Sequence, residues 1–119
     1  MKKINLHEKF QLFTEHWTPK IIAELNGQQV KIAKVKGEFV WHDHANEDEL
    51  FMVIKGELKI YLENEEILLK EGEISIVPKG VQHKPVAKEE CWILLFESKQ
   101  TKHTGDVQTD ITKEKSEWI

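Results

Sequence analysis

Two histidines and a glutamate stand close together in the middle of the chain, in a pattern that could bind a metal ion. His42 and His44 are one residue apart, and Glu49 lies five residues after His44. Residues i and i+2 of an extended strand point to the same face, so we expect both imidazoles to aim in one direction. Imidazole nitrogens suit zinc, copper, iron and nickel, and a carboxylate suits harder divalent ions. The stretch therefore predicts most of the ligands of one metal ion.

The composition indicates a globular protein of one domain. The chain has 119 residues, of which 39% are hydrophobic and 32% are charged, and its net charge is −4. A nucleic-acid surface usually shows a clustered basic patch, so this charge balance argues against nucleic acid as a partner. All 17 basic residues are lysines. Bidentate arginine contacts to phosphate or carboxylate therefore cannot form.

Cys91 is the only cysteine, so no intrachain disulfide can form. Its setting in CWILLF favours a small buried apolar residue over a catalytic one. The first residues, MKKINLHEKF, lack the apolar stretch of a secretory signal. No run of the sequence approaches the ~18–20 apolar residues of a membrane span. We therefore expect a cytoplasmic protein without a membrane partner.

The beginning of the chain favours a short helix over residues 5–16. Asn5 is a candidate cap, with Glu8 three residues on. Phe10, Phe13 and Trp17 follow at helical spacing. Three further histidines are interpreted as surface, packing or solvated tail residues: His7, His16 and His103.

From residue 18 to about 98 the sequence predicts short strands separated by turns. Asn26-Gly27 is a favoured two-residue hairpin turn. The predicted strands cover residues 20–25, 29–35, 38–42, 50–54, 58–63, 67–69, 74–77, 81–86 and 91–97. Turns at intervals of about eight to twelve residues are typical of an antiparallel sandwich or barrel.

Two of the predicted strands, 50–54 and 92–96, are apolar on both faces. A strand of a one-domain sandwich should have one wet face. Either the N-terminal segment or a second copy of the chain must therefore cover the outer sides, and we expect a homodimer. The end of the chain is polar until Trp118-Ile119. It is either a loose tail or a segment that docks through this apolar pair.

Two longer patterns of residues enclose the central cluster. The first contains Gly37, His42, His44, Glu49 and Gly56. The second contains Gly72, Pro78, Gly80 and His83. In residue types, order and spacing these patterns resemble the two motifs of the cupins, small jelly-roll β-barrels that hold a metal inside. The chain is also similar to single-domain cupins labelled phosphomannose isomerase-like, a label of fold kinship that transfers no activity.

The resemblance implies an all-β fold, a cupin-type jelly-roll β-barrel or sandwich with a short N-terminal helix. It divides the chain into an N-terminal helical segment (1–17), a cupin barrel (18–98) and a C-terminal tail (99–119). It also implies a divalent transition metal ion (iron, manganese, nickel, zinc or copper), held by His42, His44, Glu49 and His83. Two positions depart from the family pattern: the gap before His42 is one residue short, and Ala87 stands where the second motif has asparagine.

Three kinds of function fit this reading. The first is a metal-dependent enzyme, such as an oxygenase or isomerase, that acts on a small molecule. The alternative is a non-catalytic module that binds a small, sugar-like ligand, and the third is a metal-stabilised structural protein. Glu49 argues for the metal, because a buried carboxylate without a partner is costly. The sequence shows no separate acid–base pair, and it does not place Tyr61 in the site.

Overall fold

The computed structural model describes residues 1–99, 101, 105 and 116–119; His103 lies outside them. These residues form helix α1 (Leu6–Phe10) and strands β1 (Lys20–Leu25), β2 (Gln28–Glu38), β3 (Glu49–Lys55), β4 (Glu57–Leu62), β5 (Glu66–Lys70), β6 (Ile74–Val77), β7 (His83–Ser98) and β8 (Glu117–Trp118). The predicted all-β sandwich with a short N-terminal helix is confirmed.

Strand β7 joins the two sheets of the sandwich. Its first half pairs with β4 and its second half with β3, while β2 pairs along both halves. Strand β5 extends one sheet beyond β4, and β6 extends the other beyond β3. The register of β2 against β7 shifts between Val35 and Gly37. Such irregularities bend strands, which suits the passage from one sheet to the other.

The prediction of two separate strands over 81–86 and 91–97 was wrong, because β7 is continuous from His83 to Ser98. The polar run Lys88, Glu89 and Glu90 suggested a turn. In the structure these three residues remain in the strand with exposed side chains. The predicted strand over 38–42 is also wrong, since β2 ends at Glu38.

Helix α1 is shorter than the predicted 5–16. Asn5 caps it as expected, because the Asn5 side chain accepts a 2.9 Å hydrogen bond from the Glu8 backbone N–H. The helix ends at Phe10, and the following turn carries Phe13 into the same apolar cluster. Trp17 is not helical; its φ is 57°. Within the described ranges, no helix has the length and hydropathy to cross a membrane.

Two apolar clusters stabilise the sandwich. The larger one lies between the sheets and includes Val53, Leu58, Ile60 and Ile93. The smaller one lies outside, where Phe10 stacks on Trp92 with ring centroids 4.6 Å apart. The N-terminal segment therefore covers part of the outer face.

The end of the chain docks on the body of the protein. Strand β8 pairs in parallel with the start of β1, and Ile119 packs against the outer apolar cluster. The Lys9 ammonium also donates a 2.8 Å hydrogen bond to the Ile119 carbonyl oxygen. The end of the chain thus docks through Ile119 and the backbone of β8, whereas the Trp118 side chain is 55% exposed.

Candidate metal centre

Backbone pairing brings His42 of the first motif to His83 of the second. His42 lies in a short bridge with His83, and the two residues exchange backbone N–H···O hydrogen bonds of 3.0 and 2.9 Å. Glu49 begins β3 and His83 begins β7. His44 lies in the intervening loop, where its carbonyl oxygen accepts a 2.8 Å hydrogen bond from the Gly80 N–H. The two sequence motifs are therefore bonded to each other through the backbone.

The four predicted ligand residues converge inside the barrel. Each offers a ligand atom, and these atoms all lie within 4.8 Å of one another in His42, His44, Glu49 and His83. All four side chains are buried. His42 and His44 were expected to share a direction as residues of one strand. Neither belongs to a named strand, yet both side chains join the same cluster. The arrangement could hold a metal ion.

The orientation of two imidazoles is fixed by the backbone. The Nδ1 atom of His42 lies 2.9 Å from the Val40 carbonyl oxygen, and Nδ1 of His83 lies 2.9 Å from the Val81 carbonyl oxygen. A carbonyl only accepts, so each Nδ1 must donate its proton. In the neutral rings, each Nε2 then presents a lone pair to the interior. Metal-binding histidines are typically oriented in this manner.

Two Nε2 atoms at the centre lack a hydrogen-bond partner among the described residues. They belong to His44 and His83, lie 3.3 and 3.7 Å from the Glu49 Oε1 atom, and are buried. Buried polar atoms without partners are costly and rare in folded proteins. A cation among them would remove this cost, and three imidazoles with one carboxylate suit a divalent transition ion.

The surroundings shift the pKa values of these groups in different directions. Burial, together with the nearby His83, lowers the pKa of His42 to about 4. Burial also acts to lower the pKa of His44, but the Glu49 carboxylate outweighs it and the net shift is upward. Burial would raise the pKa of Glu49, yet contacts with Glu97, His44 and His83 hold it well below its usual range. His42 is thus kept neutral and able to bind a cation.

A second pair of buried charged residues lies behind Glu49, and the sequence analysis missed it. Glu97 interacts with Glu49 and accepts a 2.8 Å hydrogen bond from the Lys31 ammonium. Burial and the charge of Glu49 raise the pKa of Glu97 well above its usual range, although Lys31 acts to lower it. Of the two carboxyl groups, Glu97 therefore binds a proton more readily. The sequence did contain a signal for the burial of Glu97, because Glu97 lies on the same face of β7 as the inward-facing Ile93 and Leu95.

The loop around His44 is held by contacts that the motifs do not reveal. The exposed Asp48 accepts a 2.9 Å hydrogen bond from the Lys79 backbone N–H. Gly105 packs against the backbone of Asp43, between the two loop histidines. His7 and His16 lie elsewhere: His7 is exposed, and His16 pairs with Glu90 at 2.8 Å. Tyr61 lines a separate outer groove.

An apolar cavity opens beside the candidate ligands. It encloses about 350 Å³, a volume that includes its open mouth. His42 and Glu49 form its polar part. The apolar wall includes Trp17, Phe39, Phe51, Pro85, Ile93 and Leu95. A largely apolar pocket with a few convergent polar groups is the usual form of a small-molecule site.

Comparison with known proteins agrees with this fold and site. The family model of the cupin domain matches residues 29–96, which is more than half of the chain. The chain therefore belongs to the cupin family, as the motifs predicted. The uncharacterized protein YdbB of Bacillus subtilis is 38% identical over 80 residues, which cover 66% of this chain and 71% of the relative.

Solved structures show the same fold. A cupin-2 domain containing protein from Shewanella frigidimarina is 53% identical with a TM-score of 0.79, covering 80% of this chain and 93% of that one. Hydroquinone 1,2-dioxygenase, in complex with Cd²⁺ and 4-hydroxybenzonitrile, is 19% identical with a TM-score of 0.66, covering 79% and 71%. At the latter identity the likeness concerns the fold alone.

Proposed function

We propose that the protein is a metal-dependent enzyme acting on a small molecule, and that His42, His44, Glu49 and His83 bind its metal. One observation carries this proposal: the buried Nε2 atoms of His44 and His83 face Glu49 without hydrogen-bond partners among the described residues. The ion would be iron, manganese, nickel, zinc or copper, because this ligand set does not select among them by affinity alone.

The residues of the chain would prepare the site for chemistry. A divalent ion held by these four residues would supply Lewis acidity toward a bound small molecule. The backbone carbonyls of Val40 and Val81 hold two imidazoles in the ligating tautomer. Glu97 holds the Glu49 carboxylate from behind. The apolar cavity limits water around His42.

Metal titration tests this proposal. Chelator-treated protein is mixed with each of the five ions, and the thermal midpoint is measured, because a ligand that binds only the folded state stabilises it. We expect an upward shift for wild type and for the His7→Ala control, and a much smaller one for His83→Ala. If no ion shifts the wild-type midpoint, the metal proposal fails and a metal-free binding module becomes the better reading.

Turnover is tested separately on the protein loaded with the ion that binds best. Small molecules are incubated with it in the presence and absence of oxygen, and products are followed by mass spectrometry. Metal binding without turnover of any compound would favour the non-catalytic alternative. The cytoplasmic location stays a prediction.

We also propose that the protein forms a homodimer through the outer face of one sheet. Ile76 pairs laterally with Leu50, which pairs with Phe96 on β7. Ile74 and Ile76 are 55% and 56% exposed, and the N-terminal segment does not cover them. A row of apolar residues across three strands is a surface that a second copy can match by two-fold symmetry. A stable dimer would bury on the order of 1,600 Å² in total.

The dimer proposal is tested by sedimentation. We expect wild type to sediment as a dimer, Ile76→Glu to become monomeric, and Leu68→Glu to remain dimeric. Leu68 is a matched control, since it is 47% exposed on β5 in the opposite sheet. A wild-type monomer at high protein concentration would contradict the proposal.

A further inference from the structure

The cavity beside the candidate ligands has its polar groups at one end only. Of its eleven lining residues, His42 and Glu49 alone carry polar side-chain atoms that are free to face a ligand. The indole N–H of Trp17 is already used, because it donates a 2.9 Å hydrogen bond to the Lys36 carbonyl oxygen. The remaining walls are aliphatic or aromatic.

Among the residues that the structure describes, no cationic side chain lines this cavity. The chain contains no arginine, and the buried lysines of the barrel are engaged elsewhere: Lys31 with Glu97 and Lys34 with the Phe13 carbonyl oxygen. A carboxylate or phosphate placed along the walls would lose its hydration without gaining a counter-charge. A sugar would meet a similar cost, since most of its hydroxyls would face apolar side chains.

Two stacked aromatic rings form part of the cavity wall next to His42. Trp17 stacks on Phe39 with centroids 4.6 Å apart, and the Phe39 ring lies edge-on to His42 at 5.4 Å. Trp17 is held in the left-handed region at φ 57°, which is costly for a bulky residue. Much of the cavity's volume of about 350 Å³ belongs to its open mouth, so the enclosed part is narrow. The space therefore suits a body no larger than about one ring.

We propose that this site takes a small, mostly apolar molecule whose polar atoms are confined to the end that meets His42 and Glu49. The inference rests on the proposed metal function, and it narrows the substrate to this chemical class. The apolar body packs against Phe51, Ile93 and Leu95, while the polar end reaches the candidate ligands. Sugar-like ligands, and ligands with charged groups along the apolar body, are disfavoured for this cavity.

The experiment compares four probes of different polarity: toluene, phenol, benzoate and glucose. Each is titrated into zinc-loaded and zinc-free protein, and binding is followed by NMR shifts of cavity methyl groups. We expect toluene to bind equally with and without zinc, and phenol to bind more tightly with zinc. Glucose should bind at least about tenfold more weakly than phenol, since a misplaced polar group costs more than one lost apolar contact. Benzoate should do the same in the zinc-free protein, where no cation offsets its lost hydration.

A second experiment uses a variant that fills part of the cavity. Ala33→Val adds two methyl groups to the cavity wall, and Ala87→Val adds the same groups at a buried position outside it. We expect Ala33→Val to weaken phenol binding about tenfold, and Ala87→Val to leave it unchanged. If Ala33→Val does not fold, wild-type intermolecular NOEs from phenol to Ile93 and Leu95 decide the location of binding.

The two proposals fail in different ways. If zinc binds but glucose binds as tightly as phenol, the substrate class is wrong and the metal site stands. If none of the five ions binds, the metal function fails, while toluene binding still tests the apolar cavity. If phenol produces no NOE to the cavity residues, the inference is overturned.

Discussion

The carboxyl groups of Glu49 and Glu97 interact with each other inside the barrel, and Lys31 holds the second of them from the far side. The pKa of Glu49 is lowered and that of Glu97 is raised, so Glu97 binds a proton more readily than Glu49 does. Lys31, Glu97 and Glu49 therefore form a row of contacts. This row fixes the position of the Glu49 carboxylate, which faces the histidines. Contacts behind a metal ligand often decide its affinity.

This relationship predicts a difference between two substitutions of Glu97. Glu97→Gln keeps a donor toward Glu49 and an acceptor toward Lys31, so metal affinity should change little. Glu97→Ala leaves the Lys31 ammonium buried without its partner, which should cost about 3–5 kcal/mol of stability. It should also weaken metal binding about 10–100-fold. Denaturant unfolding and competition with a chromophoric chelator measure the two effects.

A surface pair serves as the control for Glu97. Glu66 lies 3.4 Å from Lys59, and both side chains are substantially exposed. Glu66→Gln should change stability by less than about 1 kcal/mol. If Glu97→Gln proved as damaging as Glu97→Ala, Glu97 would be ionised in the folded protein and its raised pKa would be contradicted.

Gly105 predicts a second effect on the site from outside it. Its φ is +61°, and a Cβ atom there would collide with the Asp43 carbonyl oxygen, between the two loop histidines. Gly105→Ala should therefore displace the loop and lower metal affinity by about tenfold or more.

Gly72 is the matched control, because its φ is +82° and a Cβ atom there would meet nothing within 4 Å. Both alanine variants pay the backbone cost of a positive φ, about 1 kcal/mol or more. Only Gly105→Ala should also lower the metal affinity, which is measured by competition with a chromophoric chelator. Equal metal affinities in the two variants would show that Gly105 does not support the loop.

Local sequence signals were sufficient for much of the fold. The hairpin turn at Asn26-Gly27 joins β1 and β2, and both residues adopt the positive φ values that this turn requires. The limits of β1 and β6 match the predicted 20–25 and 74–77. These elements depend on alternation and turn chemistry, which are local properties.

The misses concern contacts between distant residues. Lys31 and Glu97 are 66 positions apart, and their pairing depends on the register of β2 against β7. The alternation of side chains along the strand placed Lys31 on the same face as Ala33 and Val35. The sequence did not show whether that face pointed into the barrel. Trp17 had the spacing of a helical residue, whereas tertiary contacts with Phe39 decide its position. Such long-range contacts override local propensity.

Cys91 should be chemically inert in the folded protein. Burial, reinforced by Glu57 and Glu71, raises the pKa of its thiol to about 12. At pH 8 only about one molecule in 10⁴ would carry the reactive thiolate. We expect a disulfide reagent to modify Cys91 rapidly in guanidinium chloride and very slowly in native buffer. Fast modification of the native protein would show that this part of the core opens readily.

Two site histidines should give the metal-free protein a stability maximum in pH. The pKa of His42 is lowered to about 4, so stability falls as the pH decreases from about 6.5 toward 4, by on the order of 3 kcal/mol. The pKa of His44 is raised, so its contribution is complete below about 6.5 and is lost as the pH rises through the folded-state value. When only these two histidines are considered, the free energy of unfolding is greatest near pH 6.5.

Denaturant unfolding in the presence of a chelator, at pH values from 5 to 9, tests this prediction. His42→Gln should flatten the acid side of the profile and His44→Gln the alkaline side, while the exposed His7→Gln should leave both unchanged. Added metal should reverse the alkaline trend, because the ion binds neutral imidazole and competes with protons. If the stability of His42→Gln still falls at acid pH as in wild type, other groups cause the loss and the prediction is contradicted.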